Sequence, residues 1–175
     1  VLGTSNSPNS KYFQIDLLDK SQIKKSLCDL GSIDTLIFTV GLAHSKGKNK
    51  DYKTFEEVNL ITLKNILLSL RELNNSPEKI IFTSTISVYG EKLDSTYYFE
   101  YDRLNPSSPY AITKQKAEFF LLEHYPEKCW ILRLSPVYST DFDLNLVRRV
   151  KIGRSFFKIG DGNKKLSLCN IKNIK

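Results

Sequence analysis

In the stretch SPYAITKQKAE, Ser108 to Glu118, a tyrosine stands four residues ahead of a lysine, at what reads as the start of a helix. That spacing puts Tyr110 and Lys114 one turn apart on the same face. A phenol that ionises near pH 10 is a poor base at neutral pH, and an ammonium beside it stabilises the phenolate. Such a pair can take a proton from a substrate hydroxyl or give one to a carbonyl. The same spacing also arises on a solvated basic helix, and nine tyrosines in a lysine-rich chain make one such pair common by chance. Thr85 stands 25 residues before Tyr110, directly past the apolar run KIIFTS. In an open α/β sheet that position offers a hydroxyl at the carboxyl end of a strand, where ligands bind.

Those groups need strands and helices to hold them, and the chain alternates between the two. Strands are expected at YFQI near Tyr12, from Ile33 to Val40, from Lys79 to Ser84 and from Cys129 to Leu134. Each run is β-branched or aromatic and nearly continuous in hydrophobicity, as in a parallel sheet covered on both faces. Helices are expected from Lys20 to Leu30, from Phe55 to Leu73 and from Tyr110 to His124. FEEVNLITLKNILLSL repeats apolar residues at three and four, which lays one stripe on the sheet. Ser76 and Pro77 end that long helix, and the serines of LNPSSP can cap the next one. After Val137 the pattern loosens, with a short helix expected from Leu144 to Val150. Residues 1–137 therefore read as one α/β domain and 138–175 as the beginning of a second region.

Composition removes other classes. With 41% hydrophobic residues, 175 residues can bury a core. No apolar run approaches the roughly 20 residues of a membrane span, and the first residues have no basic segment followed by an apolar one. Cys28, Cys129 and Cys169 are widely spaced with no CxxC, which points to neither a disulfide framework nor a metal site and fits a cytoplasmic protein. The net charge of +7 gathers in HSKGKNKDYK and in RRVKIGRSFFKIGDGNKK, while the helices between are mixed in sign, so a solvated surface outweighs nucleic-acid binding. His44 reads as a loop residue, His124 as a complement to a helix C-terminus, and Cys129 beside Trp130 as core.

At the level of motifs the chain resembles the extended short-chain dehydrogenase/reductases, which include nucleotide-sugar epimerases and dehydratases. TSTISVYG is similar to that family's serine- and threonine-rich strand end closing in VYG, and SPYAITKQKAE to its PYxxSK helix with the AE that often follows. QIDLLD resembles the acidic-plus-apolar pair that holds adenine, here Asp16 and Leu17. LIFTVGLAH, with Thr39, Val40 and Gly41, resembles the strand and small residues beneath the cofactor, and VNLITLKNIL resembles the helix bearing an asparagine, here Asn59. LRLSPVYS, with Ser135, Pro136 and Val137, resembles the strand that leads to the nicotinamide pocket. Taken alone, Asp16 is as well explained as a loop or capping aspartate, and Asn59 as a polar core residue bonding backbone.

The resemblance implies a Rossmann-like, doubly wound parallel sheet with NAD or NADP as cofactor and a sugar nucleotide as substrate. It makes Tyr110 the acid/base, Lys114 its activator and the holder of the nicotinamide ribose, and Thr85 the partner of the substrate oxygen. Thr83 joins the cofactor side, and Ser87 and Pro136 join the substrate side. A homodimer through the helices Phe55 to Leu73 and Tyr110 to His124 is the family's habit. The family's Gly-rich phosphate loop and the strand before it are not seen, and we expect about one βα unit to precede Val1. Thr4, Ser5 and Asn6, at the end of the second strand of the resemblance, are uncharged and favour neither dinucleotide. Family dehydratases carry Asp-Glu after the threonine of the strand motif; Ile86 and Ser87 stand there, which favours an epimerase or ketoreductase. Leu166 stands for an arginine expected after GDG, Lys172 for an aspartate, and Pro136 for an asparagine. Lys164 and Lys165 could offer charge without the arginine fork. A non-catalytic dinucleotide-binding protein of the same fold is the alternative.

Overall fold

The computed structural model of the chain describes residues 14–43, 51–90, 97–141, 147, 151–152, 154–156 and 167–174. Helix α1 (Lys20–Leu27) begins at Asp19, whose carboxylate accepts from the backbone N–H of Ser21 at 2.8 Å and of Gln22 at 3.2 Å. It buries Ile23 and Leu27 and packs on helix α3 (Thr62–Glu72). The latter buries Leu63, Ile66, Leu67 and Leu70, the three-and-four stripe expected from its sequence. The long helix predicted from Phe55 is composite. A short α2 (Tyr52–Glu56), capped by Asp51, enters a π-turn at Glu57–Ile61 before α3 continues. Such an inserted turn re-aims side chains, and Asn59 lies fully buried within it.

Strands β1 (Thr35–Phe38), β2 (Lys79–Thr85) and β3 (Cys129–Leu134) pair in that order, all parallel. Helix α4 (Pro109–His124) crosses between the last two and packs on β2. β3 has the expected bounds, β1 is shorter than its apolar run, and β2 runs one residue further, to Thr85. Of the strand expected at YFQI, residues 12 and 13 lie outside the described residues, and Gln14 and Ile15 are in no strand. The helix expected from Leu144 to Val150 also lies outside them, apart from Val147, which is helical.

Phe38, Ile80 and Phe82 lie on one face of the sheet and share a core with Ile15, Ile23, Leu27, the α3 stripe, Ala117 and Leu121. On the other face Ile37, Ile81 and Trp130 form one register row, with Ile37 61% and Trp130 48% exposed. A run of apolar residues reports that a strand suits burial, not which neighbours cover it.

Two asparagines pin the connections to this core. Asn75 accepts from the N–H of Ile33 at 3.1 Å and donates to the carbonyls of Leu30 and Gly31, fastening the entry of β1 to the end of α3. Asn65, buried in α3, donates to the carbonyls of Leu17 at 3.0 Å and Leu18 at 3.4 Å. Beyond β3, β4 (Val137–Tyr138) pairs with the late β7 (Cys169–Asn170), while β5 (Lys151–Ile152) and β6 (Ser155–Phe156) form an antiparallel pair.

Candidate active site at the strand ends

β2 ends in three hydroxyl residues, and each has a separate task. Thr83 donates to the carbonyl of Phe38 at 3.3 Å, tying β2 to β1. Ser84 turns inward and donates to the carboxylate of Glu118. Thr85, 7% exposed, ends the strand and caps the 3-10 turn Ile86–Tyr89, its Oγ1 accepting from the N–H of Ser87 at 3.2 Å. The VYG glycine, Gly90, has φ +73°, and a Cβ there would overlap the carbonyl oxygen of Asn105. Asn105 in turn donates its N–H to the carbonyl of Val88 at 3.0 Å. Only a residue without a side chain lets the segment before α4 lie this close to the turn after β2.

Ser108 caps α4 by accepting from the N–H of Ala111 at 3.2 Å, and Pro109 takes the first helical position. Tyr110 therefore sits half-buried in the first turn. Burial pushes its phenol above the usual value, and a hydrogen bond with Thr85 works against that. One turn on, Lys114 is only 3% exposed. Its ammonium donates to the carbonyls of Thr83 at 2.9 Å and Val40 at 3.3 Å, and lies 4.5 Å from the centre of the Phe82 ring. Burial pushes it down to about 8, with Glu118 pulling the other way.

The loop after β1 completes the site. Gly41 faces the ammonium so closely that a Cβ would come within 3.2 Å of Lys114 Nζ and 3.6 Å of Asn59 Oδ1. Asn59 Oδ1 accepts from the N–H of Leu42 at 2.7 Å, and its Nδ2 donates to the Leu42 carbonyl at 3.3 Å and to Thr113 Oγ1 at 2.9 Å. Asn59 thus fastens the loop of Val40 and Gly41 to α4, which is the core role that its sequence position also allowed.

Of the residues singled out from sequence, Thr83, Thr85, Tyr110, Lys114, Val40, Gly41 and Asn59 converge on the carboxyl ends of β1 and β2. Thr39 is exposed beside Val40, and Ser87 is exposed in the turn after Thr85, within 3.2 Å of its hydroxyl. Ser135, Pro136 and Val137 follow β3, whose last residue, Leu134, pairs with Thr85. The carbonyl of Pro136 accepts from Cys169 N–H at 3.1 Å, and Val137 pairs with Cys169. Asp16 and Leu17 stand apart, in the turn before α1. There Asp16 Oδ1 accepts from the N–H of Leu18 at 2.9 Å, and Asn65 holds the Leu17 carbonyl. His124 meets the carbonyl of Phe120 at 3.0 Å near the end of α4, and Cys129 packs against the core. Thr4, Ser5, Asn6, His44 and Lys164 to Leu166 lie outside the described residues.

What sequence reasoning passed over is an ion pair beneath the site, its carboxylate buried and its arginine half-buried. Glu118, fully buried, meets Arg133 Nη2 at 2.8 Å and Nε at 3.2 Å. Arg133 Nη1 continues to Tyr89 Oη at 2.8 Å and to the Glu100 carbonyl at 3.0 Å. Burial works against the arginine's charge, but the bonds to Glu118 and Tyr89 outweigh it and raise its pKa. The signal was the final Glu of SPYAITKQKAE, an acid on a face otherwise facing the core.

A parallel α/β sheet whose strand ends gather a buried lysine, a tyrosine and a threonine is the Rossmann-like arrangement of the short-chain dehydrogenase/reductases. The chain belongs to the NAD dependent epimerase/dehydratase family, whose profile matches residues 1–174. Human dTDP-D-glucose 4,6-dehydratase is 31% identical over 138 residues, covering 77% of this chain and 38% of the relative. The chain thus spans about two fifths of the length of the curated relatives it matches. Among solved structures, UDP-glucuronic acid 4-epimerase from Bacillus cereus in complex with NAD is 28% identical with a TM-score of 0.58, over 73% of this chain and 39% of that one. UDP-N-acetylglucosamine 4-epimerase from Methanobrevibacter ruminantium M1 is 26% identical with a TM-score of 0.60, over 77% of this chain and 43% of that one. A mutant of the Bacillus cereus enzyme aligns over 93% of this chain and 52% of its own at 23% identity, with a TM-score of 0.71, a likeness of fold.

Proposed function

We propose that the protein is an NAD(P)-dependent epimerase or ketoreductase acting on a sugar nucleotide, with Tyr110 as acid/base, Lys114 as its activator and Thr85 as partner of the substrate oxygen. The observation that carries this reading is the hydrogen bond between Tyr110 and Thr85 one turn from a buried ammonium. A phenol whose pKa burial raises is a proton donor at rest; it becomes a base only when positive charge gathers beside it. Lys114 is the charge that this chain supplies. Gly41 lets the loop after β1 lie close against the ammonium, which keeps Lys114 at the strand ends that a cofactor edge would cross. Lys114, Val40, Gly41, Thr83, Ser135 and Val137 are the residues that would hold it there, with Asp16 and Leu17 at the adenine end. A bound nicotinamide would supply hydride transfer to or from the sugar carbon, and the chain supplies position and the proton.

Ser87, exposed and bonded to Thr85, and Ile86 occupy the places where elimination of water would need an acid and a base, so epimerase or ketoreductase is favoured over dehydratase. The alternative, a non-catalytic dinucleotide-binding protein, draws on Pro136, Leu166 and Lys172 on the substrate side; Lys172 is exposed in a late 3-10 turn. Residues 138–175 fit the start of the substrate region. Incubating the full-length protein with UDP-sugars and NAD(H) or NADP(H) should give C4 inversion or cofactor turnover, and Tyr110→Phe should lower the rate by about 100-fold or more. Retained turnover in that variant would sink the mechanism. Cofactor binding without activity on any sugar nucleotide would favour the alternative.

A further inference from the structure

Lys114 is a cation with little access to water, and among the described residues the charge that answers it is not at the mouth of the site. Tyr110 shares its helix. Tyr89, from the 3-10 turn, is engaged by Arg133. From α2 and the π-turn, Tyr52 and Glu56 pair with Lys116, and Glu57 with Lys53, all toward the surface. β2 carries only Lys79, at its exposed start, and β3 carries Cys129 and Arg133. Among the described residues the anion buried along with Lys114 is Glu118, one turn further along the same helix face, its Cα about 6 Å away by helical rise.

We infer that Glu118 is a positioning residue for the reaction: clamped by Ser84 and Arg133, it supplies from inside the protein the negative charge that keeps the Lys114 ammonium protonated at the strand ends. The clamp also fixes distance. Ser84 is bonded in sequence to Thr85, Arg133 lies two residues before Ser135, and Glu118 shares α4 with Tyr110 and Lys114. Through Tyr89 and the Glu100 carbonyl, Arg133 reaches the turn after Thr85 and the segment that leads to Ser108. A single ion pair therefore joins β2, the turn after it, α4 and β3. Bound to Arg133 and Ser84, the carboxylate is fixed in place as an acceptor, and its field acts on Lys114 through the protein interior.

This inference rests on the reading of Lys114 as part of the active site, and its test observes that lysine directly. In the full-length protein carrying 13C-labelled lysine, the Lys114 Cε signal, assigned by its loss in Lys114→Arg, is followed against pH. The wild type should titrate at about 8. Glu118→Gln should lower the midpoint by about one pH unit or more, and in a turnover assay the rate should fall at neutral pH as Lys114 loses its proton. Because Glu118→Gln takes from the half-buried Arg133 its ionic partner, leaving it only Tyr89 and the Glu100 carbonyl, Glu118→Gln/Arg133→Met is measured alongside it, and alone if the single variant does not fold. Thermal stability should return in the double variant while the midpoint stays below the wild-type value. A midpoint unchanged in Glu118→Gln, or one that returns to the wild-type value with stability in the double variant, would overturn the inference and leave a purely structural pair. Failure of the catalytic reading shows separately, as turnover by Tyr110→Phe with the lysine titration intact.

Discussion

Replacing Lys114 by Met removes a charge that the fold holds at a cost, and the pH dependence of that cost follows from the burial of the ammonium. Lys114 is 3% exposed and its ammonium is displaced from 10.5 to about 8, chiefly by burial. That interval of about 2.5 pH units, at about 1.4 kcal/mol each, corresponds to about 3 kcal/mol. The sign follows from proton counting. Below pH 8 both folded and unfolded chains hold the proton, and the full cost of the buried charge is present. Between 8 and 10.5 the unfolded chain holds it and the folded one does not, so the stability of the wild type rises with pH through that window. Lys114→Met has nothing to titrate there and follows only the background of other groups. At pH 7 the variant gains the removed desolvation cost but leaves the carbonyls of Thr83 and Val40 short of a donor, at about 1 to 3 kcal/mol each. The two effects roughly cancel, so near-wild-type stability with lost turnover is expected at neutral pH. Urea unfolding of both proteins from pH 7 to 10.5 should show the stability of the wild type gaining about 3 kcal/mol on that of the variant. Parallel curves would mean that Lys114 is not carried inside the fold as a charged group.

Other expectations can be checked more briefly. Gly90→Ala forces a side chain into a left-handed backbone and onto the Asn105 carbonyl, and should cost about 2 kcal/mol or more in thermal or urea unfolding. A loss within a few tenths of a kcal/mol would show that the segment before α4 yields freely. We propose that the protein forms a homodimer through α3 and α4, on the strength of Phe119 and Leu122, 53% and 48% exposed on α4. Phe119→Glu should then halve the mass seen by sedimentation equilibrium, and a wild type that is already monomeric would dispose of the idea.

Local chemistry was legible in the sequence. Tyr110 and Lys114 share a face because helical spacing requires it, and Ser108 and Pro109 announce where that helix begins. The apolar run of β3 has the bounds observed, and the three-and-four stripe of α3 is the one that is buried. The long helix from Phe55 was legible as a helix, but not its π-turn: the inserted residue has no propensity signature and is held by what Asn59 finds across the interior. Asn65 and Asn75 look like ordinary helix and turn residues, and their partners lie more than 40 positions away.

Spacing within a few residues was enough to set the order of strands and helices, the helix caps and the candidate groups for the site. Which charges are buried together is a matter of tertiary packing. Glu118 and Arg133 are 15 residues apart, on a helix and on the strand after it, and nothing in either segment's pattern reveals that they would pair, with the carboxylate buried on the same helix face as Lys114. Whether a lysine is a solvated surface charge or a buried one is set by desolvation and by its neighbours in space. That is why the same YxxxK spacing is common on a basic helix and, at the ends of β1 and β2, becomes a candidate active site.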